Sequence, residues 1–274
     1  MHRFLILTFI VCRAHTPLLS QAWTIPAHTF DIFAGYSTLN YDAVYDSTGE
    51  IHALNTFYIS DKTLQLAGRY GITNRLTIQA QIPYKLTKRF SEISSADILA
   101  MHGLGNIEAG VIYQYLESVP YLTASLFVEA NTSDFNFISG LATGYNSWAF
   151  RPGLAYKSSY NNLWTSLYTA VEFRTNNYSN NFLFNLESGY MAMDKIYLAV
   201  NLYMRQSFAN GTYCDCSLQE TAMYPDKQEY FGAGVKSGFQ LNRFGLHVAV
   251  NTAFAAQNVG AAPAVSASIS YRSF

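Results

Sequence analysis

His247 lies in an alternating stretch, Phe244-Gly245-Leu246-His247-Val248-Ala249-Val250-Asn251, and the last such stretch carries Ser266, Ser268 and Ser270 at one parity. A histidine beside a serine is the raw material of nucleophilic hydrolysis: the imidazole takes the hydroxyl proton and a third group orients the ring. A His-x-Ser pair on one strand face with a carboxylate would suit a lipid hydrolase. Here Ala249 stands where that serine would be, so only a serine from the adjacent segment can serve. The plainer alternative is an inward histidine that makes hydrogen bonds.

A larger set is ionisable or polar: Asp31, Arg69, Gln79, Glu108, Glu129, Arg151, Glu172, Glu187, Arg205, Lys236 and Arg272. Each falls on the polar parity of an alternating segment. If those segments enclose a narrow interior, such groups converge and must pair, because an isolated charge in a confined space is costly. Pairing serves either of two ends, a polar constriction that selects solutes or a network that braces the interior and fills it.

Cys214 and Cys216 are the two cysteines beyond the N-terminal segment. A bridge between residues two apart closes a tight ring, so a loop disulfide and an unbridged couple both remain open. Two thiolates with no histidine or third cysteine nearby do not complete a metal site. Gly103 and Gly105 form no phosphate loop, because no GxxxxGK[ST] follows and the context is a strand.

The elements that must position these groups are strands. In LQLAGRYGITNRLTIQAQIPY, Leu64 to Tyr84, one face carries Leu64, Leu66, Gly68 and Tyr70, then Leu76, Ile78, Ala80, Ile82 and Tyr84. The other carries Gln65, Ala67, Arg69, Thr77, Gln79 and Gln81, and Gly71-Ile72-Thr73-Asn74 supplies the turn. Like patterns recur near 29–39, 62–71, 75–86, 105–116, 120–130, 147–158, 163–173, 181–190, 195–207, 228–240, 243–255 and 263–274, twelve segments in all. Their connections sort by length. Short ones fall at 72–74, 117–119, 159–162, 191–194 and 241–242, and mostly longer ones between, at 40–61, 87–104, 131–146 and 207–227. A soluble sandwich has no reason to sort its loops, whereas a transmembrane barrel has short turns at one end and long loops at the other.

Composition agrees. Charged residues are only 13% of 274 while aromatics reach 16%, with 21 Tyr and 19 Phe, and no run of 18 apolar residues exists to form a transmembrane helix. The expected fold is all-β: an antiparallel up-and-down transmembrane barrel of about twelve strands. Apolar rows such as Ile196, Leu198, Val200, Leu202 and Phe244, Leu246, Val248, Val250 should meet lipid. Segment 163–173 is less clean, since Trp164 and Tyr168 share the parity of Glu172, and that parity is assigned to the lumen. A net charge of −1 argues against a nucleic-acid partner.

Arg3, the apolar Phe4–Cys12 and Ser20-Gln21-Ala22 read as a secretory signal peptide over 1–22, leaving 23–274 as the barrel. Phe274 ends the chain, with Tyr271 three residues before it, and this pair is expected to be the assembly signal read by the barrel-assembly machinery. The expected location is the outer membrane of a Gram-negative bacterium, with its lipids as partners. The aromatic loop residues Tyr41, Tyr45, His52, Phe57, Tyr58, Tyr213 and Tyr224 either pack over the barrel or line a mouth.

The hairpin RYGITNRLTIQAQIPY resembles that of the outer-membrane proteins associated with phenol degradation, the MetA-pathway type. Gly103-Leu104-Gly105-Asn106 is similar to their strand entry, with Asn106 where an aspartate is common, and LATGYNSWAFRPGLAYKSSY (141–160) resembles a later region. The resemblance implies a barrel that passes small, often aromatic or hydrophobic, molecules, with no catalytic residues and no cofactor. A channel for such solutes, a plugged structural or interaction barrel, and a membrane-embedded lipid hydrolase are the readings in that order.

Overall fold

Strict alternation commits each segment to one outward and one inward row, and neighbouring rows share a face only when the strands pair in fixed register. The computed structural model of the chain describes residues 23–91, 98–116, 118–193 and 195–273. The expected signal peptide and Phe274 lie outside the described residues.

Twelve antiparallel barrel strands follow one another: β1 Phe30–Tyr41, β2 Phe57–Gly71, β3 Leu76–Ser91, β4 in two pieces (Ile98–Leu104 and Glu108–Gln114), β5 Tyr121–Glu129 and β6 Ala149–Tyr160. They continue as β7 Leu163–Arg174, β8 Asn181–Ala192, β9 Ile196–Ser207, β10 Glu229–Leu241, β11 Phe244–Gln257 and β12 Ala264–Arg272. Each pairs with its chain neighbours, and β12 pairs with β1 from Asp31↔Arg272 to Thr38↔Val265, which closes the barrel. Closure leaves no sheet edge in lipid, where unpaired backbone groups would be costly.

The opening hairpin keeps the expected register, with Leu64 opposite Tyr84, Leu66 opposite Ile82 and Tyr70 opposite Ile78. Leu64, Leu66 and Ile78 are exposed on the outer surface, whereas Arg69 and Gln79 are buried inside and Gln65 bonds Gln81 at 2.9 Å. Trp164, Tyr168 and Glu172 of β7 are likewise buried on the lumen side. Phe30, Tyr70, Tyr113, Tyr160, Tyr190 and Phe244 ring the short-turn end of the outer face, as an interfacial girdle should.

Three strand boundaries differ from the alternation. β2 starts at Phe57, β3 runs to Ser91, and a β-piece precedes Gly105. Lys62 and Lys88 interrupt the outward apolar row, so this part does not read as a membrane strand, yet the backbone ladder continues through it. The break in β4 has a local cause. Pro83 of β3 offers no N–H to the ladder, and residues 105–107 bulge opposite it, Gly105 N donating to Pro83 O at 2.9 Å.

The long loops fold over one mouth. Short strands Ala43–Tyr45, Ile51–Ala53 and Val259–Gly260 form one sheet there, and a helix, α1 Cys216–Thr221, lies in the loop after β9. Tyr41, Val44, Leu54, Phe57, Ile59, Leu141 and Met223 pack together as an apolar cap. Cys214 and Cys216 are both free and exposed. Asp215 between them is the N-cap of α1, accepting from Ser217 N at 3.0 Å and Leu218 N at 3.1 Å.

Candidate functional site

The inward row of each strand lines one lumen, and the structure places all the charged candidates there in separate layers. Nearest the long-loop end, Glu172 is the hub. Its Oε1 takes Arg174 Nε at 2.8 Å and Asn181 Nδ2 at 3.0 Å, and also Arg205 Nη2, while Oε2 takes Arg151 Nη2 at 2.7 Å. Arg151 also reaches Glu108 at 2.5 Å and Glu129 at 3.3 Å, and Arg174 reaches Glu129 at 3.3 Å. Three carboxylates face three guanidinium groups, so the layer is internally neutral and its burial is compensated.

Tyr145, from the loop after β5, completes this layer. Its ring lies 3.7 Å from the Arg174 guanidinium carbon and 5.1 Å from that of Arg205, and its hydroxyl accepts from Arg205 Nη1 at 2.9 Å. Burial pushes the Tyr145 hydroxyl up to about 12, against the lowering pull of Arg205 and Arg174. Asn106 turns inward at the β4 break and donates to Glu129 at 3.1 Å and to Tyr145 O at 2.8 Å.

Midway down, Lys236 bonds Glu187 at 2.6 Å. At the short-turn end, Asp31 holds Arg69 at 2.6 Å and Arg272 at 3.3 Å, and Arg69 lies over Phe33. His247 sits between Tyr197, whose hydroxyl is 2.9 Å from Nδ1, and Ser270, whose Oγ is 3.1 Å from Nε2. The serine–histidine contact that hydrolysis would need is therefore present, but in the lumen and with a tyrosine on Nδ1. Among the described residues no carboxylate bonds that ring. Tyr271 packs outside, between Phe30 and Phe244 at ring distances of 6.0 and 5.2 Å.

Sequence alternation missed Arg174, Asp61 and Lys85. Arg174 shares the parity of Glu172 but lies one residue past the expected end of that strand. Lys85 shares the parity of Gln79 and Gln81, and bonds Asp61 at 2.9 Å. Tyr145 lies in a loop and carries no periodic signal. Nor does alternation announce that residues 23–27 enter the lumen: Trp23 and Ile25 are buried, Trp23 packs with Ile112, Phe127, Ala155 and Tyr168, and Ile25 N donates to Thr77 Oγ1 at 2.9 Å. The apolar Trp23 and Ile25 two apart were the available signal.

The Glu172 layer and the aromatic cluster around Trp23 lie on the β4–β9 side, and two cavities open beside them. A cavity of about 640 Å³ lies under the cap, between Tyr41, Asp61, Glu187, Asn201, Lys236, Ala249 and Ser266. A second, of about 160 Å³, lies among Gly35, Ser37, Gln65, His247 and Ser268 and shares Lys236, Ala249 and Ser266 with the first.

The fold is that of bacterial outer-membrane barrels. An outer membrane channel from Pseudomonas putida F1 superposes with a TM-score of 0.70 at 16% identity, covering 94% of this chain and 100% of its own. The CymD monoaromatic hydrocarbon channel gives 0.51 at 7% identity, covering 91% and 89%. The KdgM porin in complex with disordered oligogalacturonate gives 0.51 at 10%, covering 89% and 99%. The sequence matches no family model and no curated protein. At these identities the likeness is one of fold.

Proposed function

We propose that the chain is a passive outer-membrane channel for small organic molecules, of the kind its resemblance to the phenol-degradation proteins implies, and not an enzyme. The observation that carries this reading is the pair of joined cavities in the lumen. Two cavities share Lys236, Ala249 and Ser266 and so run on from one another inside the barrel, beside the Glu172 ion-pair layer. Tyrosines and alanines beside paired charges suit solutes with an apolar or aromatic body. The fold shared with a channel and a hydrocarbon channel supports the same reading. In it, the short turns and both termini face the periplasm, residues 1–22 are a signal peptide, outer-membrane lipids cover the apolar rows, and the last strand with Tyr271 and Phe274 engages the assembly machinery.

A second reading is favoured by one observation: residues 23–27 occupy the lumen at the short-turn end, as a plug would. Solute flux into vesicles carrying the refolded protein separates the two. The channel reading expects flux of small neutral aromatics above that of empty vesicles. A parent protein with no flux, and a variant lacking residues 23–28 that is equally silent, would overturn it in favour of a structural barrel.

A further inference from the structure

The smaller cavity differs from the rest of the lumen in its chemistry. One row of directly opposed residues crosses its wall: Lys236 on β10, Ala249 on β11, Ser266 on β12, Ser37 on β1 and Thr63 on β2. Ser268 stands two residues along β12 from Ser266 and lines the same space. Among the described residues, no hydrogen bond to the protein engages the hydroxyls of Ser37, Thr63, Ser266 or Ser268. Each of these four residues is partly accessible rather than sealed, so its hydroxyl is open to a ligand in the cavity.

The charge on this wall is one-sided. Lys236 is its cation, and among the described residues no carboxylate lines the cavity. Glu187, which accepts from Lys236 Nζ at 2.6 Å, lines the larger cavity alone. An ammonium carries three donors, and Glu187 takes one of them. Both nitrogens of His247 are already bonded, to Tyr197 and to Ser270. Toward the short-turn end the next carboxylate, Asp31, is shared by Arg69 and Arg272. An ammonium set in a row of open hydroxyls offers donors to an anion, whereas a cation there would meet Lys236 and no carboxylate.

Lys236, Ala249 and Ser266 line both cavities and so form the junction between them. Paired strands lie about 4.8 Å apart, which sets Lys236 and Ser266 roughly 10 Å apart at the backbone, with only the Ala249 methyl between them. That gap admits a carboxylate touching the ammonium on one side and the serine hydroxyl on the other. On the larger cavity's side stand Tyr203 and Tyr230, edge to face at 5.8 Å, and Met223 from the cap. We propose that the junction is a binding station for a small organic acid, its carboxylate on Lys236 and Ser266 and its apolar body in the larger cavity against Tyr203 and Tyr230. It deepens the channel reading, on which it rests for the ligand's route, by giving the solute's apolar body an acidic head.

The test is calorimetric titration of the purified full-length protein in detergent, at neutral pH, with benzoate and with its uncharged amide, benzamide. Benzoate should bind about tenfold more tightly, the effect of one hydrogen bond to a charged group. Glu187→Gln releases the ammonium and should tighten benzoate binding while leaving benzamide unchanged, which a merely structural ion pair would not do. Glu187→Met combined with Lys236→Met removes both charges without stranding either and should abolish the preference for benzoate. Ala249→Phe fills the gap and should abolish benzoate binding. Each variant is read in protein that keeps its heat-modifiable migration, and should the double variant not fold, Ser266→Ala takes its place and should narrow the preference. Equal affinity for benzoate and benzamide in the parent, no binding of either, or a preference unchanged in these variants overturns the proposal. Flux in vesicles without a benzoate preference removes the station and leaves the channel; benzoate binding without flux does the reverse.

Discussion

Gly71 lies so close to Pro26 that a Cβ at Gly71 would overlap the Pro26 carbonyl and sit 2.8 Å from the carbonyl oxygen of Ile25. The pairing is held by His28 N donating to Gly71 O at 2.7 Å and Gly71 N donating to Thr29 O at 3.0 Å. The inward position at the end of β2 must therefore lack a side chain for residues 23–27 to turn into the lumen.

Gly71→Val should expel that segment while the barrel ladder, which is backbone, stays closed. Burial of an aromatic such as Trp23 contributes on the order of 3 kcal/mol to docking, enough to hold the segment in place in the parent. Expulsion is read as a red shift of tryptophan emission, chymotrypsin cleavage near residue 23, and conductance above the parent's. Unchanged emission with retained heat-modifiable migration would show that the segment does not depend on Gly71.

Glu172→Gln should be among the most damaging single changes in the lumen. Glu172 is buried and bonds Arg151, Arg174 and Arg205, so its loss leaves three guanidinium groups facing only Glu108 and Glu129. Breaking a buried pair from one side costs about 3–5 kcal/mol. The urea midpoint of the refolded barrel should fall accordingly, and reversal potentials under a salt gradient should move toward anions. Glu220→Gln, on an exposed carboxylate of the cap 3.5 Å from Arg89, should leave the midpoint nearly unchanged.

Much of this arrangement was legible in the sequence because a barrel strand has a period of two and no choice about which row meets lipid. That rule alone places Arg69, Glu108, Glu187, Arg205, Lys236 and His247 inside, and it handles β7 although Trp164 and Tyr168 sit on the polar parity. It fails where the backbone ladder runs past the alternating pattern, as at Asp61, beside the outward Lys62, and at Arg174, one residue beyond the last outward apolar residue Phe173. It says nothing of Tyr145 or Trp23, which reach the lumen from a loop and a terminus. Their positions depend on cation–π contact and on the cleared space at Gly71, both set by tertiary packing rather than by local period.

Val200→Arg tests which surface meets lipid. Val200 is exposed on the outer row midway along β9, whereas Leu241, exposed on the same face of β10, lies at the short-turn rim. An arginine at the bilayer midplane costs roughly 2–4 kcal/mol and one near the interface about 0–1. Folding titrations into phospholipid vesicles should show that ordering. Equal costs at the two positions would contradict the membrane placement of the barrel.

The last prediction concerns the loop after β1, outside the membrane. Asp46 Oδ1 accepts from Thr48 N at 2.7 Å, Thr48 Oγ1 at 2.7 Å and Glu50 N at 3.0 Å, and Oδ2 lies 2.9 Å from His52 Nε2. These donors, Thr48 Oγ1 foremost, favour the ionised carboxyl and hold it below its ordinary value, at about 2. A depressed folded value means that the order this carboxylate gives the turn is complete above the ordinary aspartate range, near pH 4, and is lost as pH falls through about 2. Amide shifts of Thr48 and Glu50 should therefore hold steady from pH 6 to 4 and move together with a midpoint near 2. In Asp46→Asn the amide oxygen keeps one acceptor but cannot titrate, so the low-pH transition should vanish while the turn stays partly formed. A midpoint near 4 in the parent would mean that the donors around Asp46 do not stabilise its charge.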